Sequence, residues 1–409
     1  MTCAGCGATL EVGALFCENC GTKVGGALGG AVAPTTLDVP VTATDEDSPI
    51  SVPTAINAKA VVVSAPQTKT CTECGGTVGA EGYCDQCGTK AATERDHFRE
   101  HPAPWLAGVC DRGIVHSRNE DAMALWADPA STATTGRGVL VVCDGVSSSK
   151  DSDVASLAGA RAARDVLRAP MPKGLGVPES IEGAAIKVFV SAAAAANTAV
   201  MANTAPSSES PASCTFVAAT VDPVAGPVGA SAAADPDVGP VAGAAPDSRW
   251  QIRYAVIGDS RAYWLPDGAE GVQLTTDDSM AQMLIAGGTP KAEAEAAPQA
   301  HAITKWLGRD SPDIVPVVGA LVVDQPGWLL LCSDGLWNYA SEPAAIVAQV
   351  TSAATTEPEA LALALVDFAK ASGGHDNITV AFARLDRAGL EIAAPDAAGS
   401  ADEEREGHG

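Results

Sequence analysis

Short apolar runs, each bounded by glycine, aspartate or asparagine, recur between residues 104 and 387. The clearest are GVLVVC, SCTFVAATV, WQIRYAVI, GWLLLC and NITVAFARL. Runs of this length, rich in β-branched residues and closed by turn formers, are typical of buried β-strands. This part of the chain is therefore predicted to be a β-rich domain.

Helical patterns lie between these runs. They cover residues 152–168, 180–203, 279–286, 342–350 and 357–371. Ser180 is a candidate N-cap for the second helix, and the two glycines after residue 371 are a typical stop signal. Strands and helices together predict an α+β domain over residues 104–387.

Three stretches lack both patterns. Residues 25–69 are rich in Gly, Ala, Pro, Thr and Val, residues 222–248 repeat small residues with proline, and residues 388–409 end in ADEEREGHG. Such compositions cannot bury enough apolar surface to fold. We expect a disordered linker, a disordered insertion between two strands, and an acidic disordered tail.

The net charge of the chain limits the kinds of molecule that it is expected to bind. The chain of 409 residues has a formal net charge of −25. Such a surface repels nucleic-acid phosphates and anionic lipid and favours cations. No apolar run approaches the roughly 18 residues of a membrane span, and the start, MTCAGCGATL, has no basic and apolar leader regions. A cytoplasmic location with no membrane contact is expected.

Eight of the twelve cysteines form an internal repeat of Cys-x-x-Cys pairs near the N-terminus. They are Cys3, Cys6, Cys17, Cys20, Cys71, Cys74, Cys84 and Cys87. Two pairs about ten residues apart provide four thiolates, as tetrahedral Zn²⁺ requires. We expect two zinc ribbons, at residues 1–24 and 70–92, each holding one structural Zn²⁺. Dithiol redox chemistry and disulfides are the alternatives to zinc.

The role of the ribbons is open between a purely structural one and docking. Zinc ribbons bind nucleic acid or protein, and function does not follow from the fold alone. Residues 1–24 carry Glu11, Glu18 and Lys23 and no basic face. Docking to protein is therefore favoured over an adaptor for nucleic acid.

Carboxylates stand at the ends of the predicted strands or in turns beside them. The sites are SRNEDAM, VVCDGV, VIGDSRAY, LLLCSDGLW and GGHDNITV. Any one Asp-Gly pair is ordinary turn chemistry. Several acids delivered to one place repel one another, and hard oxygen-seeking cations such as Mn²⁺ or Mg²⁺ relieve that repulsion.

The order and spacing of these motifs between about residues 106 and 385 resemble the metal-dependent Ser/Thr protein phosphatases (PPM, type 2C) of bacteria. The resemblance implies a four-layer α/β/β/α sandwich of two β-sheets flanked by helices. It also implies hydrolysis of phosphoserine and phosphothreonine by a water bound between two metal ions, and a cognate Ser/Thr kinase that the enzyme opposes.

The resemblance also assigns the metal ligands. Asp144 would bridge two Mn²⁺ or Mg²⁺ ions, and the Gly145 carbonyl would bind one of them. Asp334 and Asp376 would hold the other ion.

Four further residues complete the expected shell. Glu120 would act on the second ion through water, with support from Asp121. Asp259 would serve a third, weaker site, and Asn377 would orient the surroundings of Asp376.

One motif departs from the family pattern. Bacterial members have Gly-x-x-Arg-x-x-Asn-x-Asp, with an arginine that grips the phosphate, whereas this chain has His116 at that position. His116 is expected to donate a hydrogen bond or act as the general acid, and Arg118 or Arg112 to replace the lost guanidinium. The catalytic set is thus His116, Arg118, Asp144, Asp334 and Asp376. The departure also admits a pseudophosphatase, a scaffold that binds phosphoproteins with little turnover.

Overall fold

The computed structural model describes a defined part of the chain, namely residues 2, 70, 74–79, 81–88, 91, 93–146, 149, 151–224 and 249–386. Except for residue 2, the first expected ribbon lies outside these residues. So do the whole linker, most of the insertion and the whole tail. The chain divides into two compact units, Met1–Ala92 and Thr93–Gly409. The second unit begins before residue 104, where the sequence analysis placed its start.

The strands of the second unit all pair in antiparallel fashion. In chain order they are β1 (His97–Ala103), β2 (Leu106–Asp111), β3 (Ala122–Ala127), β4 (Gly138–Cys143), β5 (Ser213–Cys214), β6 (Phe216–Pro223), β7 (Trp250–Ile257), β8 (Arg261–Pro266), β9 (Val272–Gln273), β10 (Leu307–Gly308), β11 (Val317–Val323), β12 (Gly327–Cys332) and β13 (Ile378–Leu385). One sheet has the order β1-β2-β13-β12-β8-β9 and another β11-β7-β6-β4-β3, while β10 and β5 form a short pair.

The helices are α1 (Ser152–Leu167), α2 (Pro178–Ala202), α3 (Met280–Ala286), α4 (Lys291–Glu295), α5 (Asp334–Trp337), α6 (Pro343–Ser352) and α7 (Pro358–Ala371). Five of these seven helices in the described residues occupy intervals that the sequence pattern predicted, whereas α4 and α5 were not predicted. Ser180 is not the cap of α2. The helix begins at Pro178 after the extended residue Val177, since proline suits the first turn, and the Ser180 hydroxyl accepts a hydrogen bond from Leu175 N at 2.8 Å.

Three apolar layers hold the unit together. Leu106, Leu140 and Leu329 lie in the layer between the two large sheets. A second layer joins the five-stranded sheet to α1 and α2, and a third joins the six-stranded sheet to α5, α6 and α7. The expected four-layer α/β/β/α arrangement is therefore confirmed.

The layers also explain the continuous apolar runs in the sequence. Strands β4 and β12 are buried at every position, because one face meets the other sheet and the opposite face meets helices. Antiparallel strands usually alternate in polarity because one face meets solvent. Here both faces are covered, so the alternation is lost.

One helix within the described residues, α2, is long and apolar enough to cross a membrane by length and composition. Its buried residues include Phe189, Ala192 and Ala196, which pack with α1 against the five-stranded sheet. One face of α2 is therefore packed into the domain, and 39% of its apolar window is buried.

Candidate metal centre

Both large sheets deliver carboxylates to one region. In the five-stranded sheet, Asp144 follows β4, Asp259 follows β7, and Glu120 and Asp121 precede β3. From the six-stranded sheet, Asp334 follows β12 by two residues as the first residue of α5. The Asp-Gly pair at 334 therefore starts a helix rather than a simple turn.

The carboxylates are close enough to perturb one another. The pKa of Asp144 is raised well above its usual range, first by burial and then by the charges of Asp121, Asp334, Asp376 and Asp259. Burial, followed by repulsion from Asp376, Asp259 and Asp121, likewise raises the pKa of Asp334. The charges of acids that the sequence placed at separate strand ends therefore act on one another.

Asp121 is held beneath this cluster. It is 1% exposed, and its Oδ2 accepts hydrogen bonds from Ser333 Oγ at 2.6 Å and Thr379 Oγ1 at 2.7 Å. Burial raises its pKa to about 6 in spite of these bonds. Its Oδ1 finds no hydrogen-bond partner in the described part of the chain.

Glu120 is buried and held mainly by Arg118. Its Oε1 accepts from Arg118 Nη2 at 2.5 Å and from the Ser152 hydroxyl, while its backbone N donates to Asn377 Oδ1 at 2.7 Å. Arg118 also donates to the Ser149 carbonyl. In this structure Arg118 therefore positions Glu120, whereas the sequence analysis expected it to face phosphate.

His116 bridges two of the acids. Its Nε2 lies 3.3 Å from Asp376 Oδ1, and its Nδ1 lies 3.9 Å from Glu120 Oε2. The Asp376 side chain is 39% exposed, so this edge of the centre opens to solvent. His116 thus lies at the exposed rim of the centre.

Two glycines allow the strand ends to approach closely. A Cβ at Gly145 would lie 2.5 Å from the Glu120 carbonyl oxygen, and one at Gly335 would lie 1.9 Å from the Asn377 carbonyl oxygen. Neither position has room for a side chain. The glycine that follows each aspartate is therefore required by close packing between segments of the centre.

Asp259 follows β7 at the same edge of the five-stranded sheet as Asp144 and is 7% exposed. Its pKa is raised to about 7, by burial and then by the charge of Asp277. Its carbonyl accepts from Trp337 Nε1 at 2.9 Å. Trp337 in turn stacks under Arg261, whose guanidinium pairs with Asp277 at 2.7 Å. The expected third-site residue is thus fixed through its backbone.

The donor set fits hard divalent cations. The converging groups are carboxylates, together with the carbonyl of Gly145, and such oxygen ligands suit Mn²⁺ and Mg²⁺. Asp334 Oδ1 and Asp121 Oδ1 are buried without a partner among the described residues. A buried, unpartnered carboxylate oxygen is costly unless a cation or proton compensates it.

Sequence reasoning missed two residues, Arg95 and Asn119, that form hydrogen bonds with the backbone of Asp121. Arg95 donates through Nη2 to the carbonyls of Asp121 and Asp153, the latter at 3.1 Å. Asn119 is 1% exposed and accepts from Asp121 N at 3.2 Å. Asn119 fills the Asn position of the Gly-x-x-Arg-x-x-Asn-x-Asp pattern, which was a signal for it, whereas Arg95 lay outside the predicted domain.

The N-terminal unit contains a separate cluster of thiols. The sulfurs of Cys74, Cys84 and Cys87 lie within 4.8 Å of one another, and Gln86 N donates to Cys84 Sγ at 3.4 Å. Gly75 and Gly88, each directly after a cysteine, have φ values of 72° and 73° that favour glycine. The fourth expected ligand, Cys71, and the four cysteines of the first ribbon lie outside the described residues.

Curated relatives cover part of this chain. Protein phosphatase PhpP of Streptococcus pneumoniae is 39% identical over 146 residues, which are 34% of this chain and 56% of that protein. The serine/threonine protein phosphatase PstP of Mycobacterium tuberculosis is 37% identical over 131 residues, 31% of this chain and 24% of that protein. The chain thus spans about half the length of PhpP. No protein-family model matches the chain.

Solved structures extend the likeness to the whole fold. The serine/threonine phosphatase of S. agalactiae aligns with a TM-score of 0.51 at 22% identity, over 70% of this chain and 98% of that one. Stp1 of Staphylococcus aureus aligns with a TM-score of 0.50 at 21% identity, over 71% and 98%. The second unit therefore has the fold of the bacterial serine/threonine phosphatases.

Proposed function

We propose that this chain is a Mn²⁺- or Mg²⁺-dependent phosphoprotein phosphatase that hydrolyses phosphoserine and phosphothreonine. The observation that carries the proposal is the convergence of Asp144, Asp334 and Asp376 at the ends of strands from both sheets. Their mutual repulsion and the unpartnered Asp334 Oδ1 call for cations. The relatives named as protein phosphatases support the same activity.

The carboxylates would hold the ions, with Asp144 between them, the Gly145 carbonyl on one, and Asp334 and Asp376 on the other. When bound, the ions supply an acidified water as the nucleophile and compensate charge on the phosphoryl group. Asp259 serves a weaker third position.

The remaining groups orient the centre. Arg118 and Ser152 hold the Glu120 carboxylate, and Asn377 links the Glu120 backbone to the segment of Asp376. His116, at the exposed rim, is placed to donate a hydrogen bond to a phosphoryl oxygen in place of the arginine that the family carries.

The cysteine modules are proposed to bind two structural Zn²⁺ ions and to dock a protein partner. The Cys74, Cys84 and Cys87 cluster supports one of these sites. We further propose that the enzyme works in the cytoplasm and opposes a cognate Ser/Thr kinase, as the phosphatase activity implies.

A pseudophosphatase that binds phosphoproteins without turnover is the competing function, and His116 is the observation that favours it. The full set of carboxylates weighs against it, since a scaffold gains nothing from buried acids that repel one another.

Hydrolysis of a phosphothreonine peptide by the full chain, with and without Mn²⁺, tests the proposal. We expect turnover only with the metal, and Asp144→Asn should lower kcat/KM by about 10²–10³-fold. Asp367→Asn makes the same chemical change at an exposed position of α7 and should leave the rate as it is. Binding of the peptide without hydrolysis at saturating Mn²⁺ would establish the pseudophosphatase instead.

A further inference from the structure

Two adjacent apolar side chains, Ile114 and Val115, stand in solvent beside the carboxylate centre. They are 59% and 61% exposed. The next residue is His116, which lies 3.3 Å from Asp376. Single exposed apolar residues are common and need no explanation. This pair differs because it lies on the rim of the centre and because its backbone is fixed.

The segment that carries the pair is held by the centre itself. The backbone N atoms of Ile114 and Val115 both donate to the Gly374 carbonyl, at 2.9 and 3.3 Å. Asn377 Nδ2 donates to the Arg112 carbonyl at 2.8 Å. A Cβ at position 374 would lie 2.8 Å from Ile114 Cγ1. The absence of a side chain at Gly374 therefore gives Ile114 the space that it occupies.

Glycine is also required at the start of this segment. Gly113 has a φ of 73°, and a Cβ there would lie 2.1 Å from the Asp376 carbonyl oxygen. Its backbone N donates to Asp111 Oδ1 at 2.8 Å. The two apolar side chains are therefore presented at a set distance from the carboxylates. A pre-organised surface loses little entropy when it binds.

We propose that Ile114 and Val115 form a subsite for an apolar side chain next to the phosphorylated serine or threonine of the substrate. The inference rests on the proposed function. Serine and threonine side chains are short, so a phosphoryl group at the carboxylates brings the neighbouring residues of its chain onto this rim. The substrate class is a phosphorylated segment with an apolar neighbour.

The apolar character of the pair sets the order of preference. A polar or charged side chain placed against Ile114 and Val115 would lose hydration without gaining a hydrogen-bond partner, whereas an apolar side chain gains contact area. Peptides should therefore be preferred in the order apolar, small polar, acidic.

The experiment compares phosphothreonine peptides that differ only in one flanking residue, Leu, Ser or Asp, on either side. With Mn²⁺, the wild-type chain should hydrolyse the best Leu peptide about five- to tenfold faster in kcat/KM than its Ser counterpart. In Ile114→Ser/Val115→Ser the ratio should fall to about one. Leu175→Ser removes an apolar residue that is 90% exposed elsewhere and should keep the wild-type ratio.

The outcomes separate the two proposals. A wild-type ratio near one, or a double variant that retains the preference, would overturn the subsite while phosphatase activity stands. Failure of the wild-type chain to hydrolyse both the peptides and p-nitrophenyl phosphate with Mn²⁺ would overturn the proposed function and the subsite together. Circular dichroism of each variant establishes that the ratios come from folded protein.

Discussion

At the scale of single residues, the centre depends on which side chains are already engaged within the protein. Arg118 donates hydrogen bonds to Glu120, Ser149 and Ser152. Its guanidinium is therefore engaged within the protein and does not take over the role of the arginine that His116 replaces. His116 faces Asp376 and Glu120 at the rim. On the proposed function, the chain would meet a phosphoryl group with the imidazole of His116 rather than with a guanidinium.

Restoring the guanidinium should strengthen substrate binding. His116→Arg is expected to lower KM for a phosphothreonine peptide by about fivefold, because arginine donates two parallel hydrogen bonds to a phosphoryl group. Steady-state kinetics with Mn²⁺ measures the change, and His116→Gln serves as a neutral control that keeps one donor. An unchanged or higher KM in the arginine variant would show that position 116 does not contact the substrate.

The raised pKa values of the buried acids predict how the metal-free protein responds to pH. The pKa is about 6 for Asp121 and about 7 for Asp259, against an ordinary value of 3.8. Between about pH 4 and pH 7 the native protein therefore holds protons that the unfolded chain has released, and stability falls as pH rises through this window.

Without divalent metal, we expect the melting temperature to be lower at pH 7.5 than at pH 5.5 by about 3–6 °C. Saturating Mn²⁺ should reduce or reverse the difference, because the ions compensate the ionised carboxylates. Calorimetry at both pH values, with Mn²⁺ and with chelator, gives the four melting temperatures. A metal-free protein with a higher melting temperature at pH 7.5 than at pH 5.5 would contradict the raised pKa values of Asp121 and Asp259.

At the scale of elements, the centre forms where short helices and loops meet strand ends at backbone distance. Helix α5 begins at Asp334 directly after Ser333, and Ser333 joins β12 to β13 by accepting from Thr379 N at 2.9 Å. Gly335 then passes the Asn377 carbonyl. The direction in which Asp334 points is therefore decided by the packing of α5 on the start of β13.

A side chain at position 335 should separate these elements. Gly335→Ala is expected to lower the free energy of unfolding by about 2–4 kcal/mol, because the added Cβ overlaps backbone that has no space to move. Gly183→Ala, inside α2 where nothing lies within 4 Å of the added Cβ, should raise it by about 0.5–1 kcal/mol. Urea unfolding of both variants measures the contrast, and equal effects would show that α5 adapts freely.

At the scale of the whole molecule, the two compact units carry different kinds of candidate metal ligand. The unit that ends at Ala92 has a cluster of thiols, which suits Zn²⁺. The unit that starts at Thr93 has a cluster of carboxylates, which suits Mn²⁺ and Mg²⁺. Separate ligand types allow each unit to select its own ion.

Metal analysis of the full chain, purified with both metals present, tests this division. We expect two Zn²⁺ per chain, falling to one in Cys84→Ser, while Gln86→Ala at an exposed neighbouring position keeps both. Since Cys84 belongs to the first unit, we expect the melting transition of the second unit to be the same in both variants. Two zinc ions in Cys84→Ser would exclude Cys84 as a ligand.

Particular residues show how far sequence reasoning reached. The continuous apolar runs identified β4 and β12, and the turn residues after them identified Asp144 and Asp334. Periodicity placed α1, α2, α6 and α7 to within a few residues. It missed the short α4 and α5, since four or five residues are too few for a helical period.

The amino-acid sequence by itself determined five of the longer strands (β4, β6, β7, β12 and β13), the main helices, the acids at strand ends and the pairs of cysteines. These follow from local patterns of polarity and from spacing along the chain. Only the tertiary structure decided that Asp121 lies buried beneath the centre, that Arg118 holds Glu120, and that Arg95 supports Asp121 from outside the predicted domain. Such roles depend on distances between segments far apart in the chain, and those distances are set by how two sheets and their helices pack.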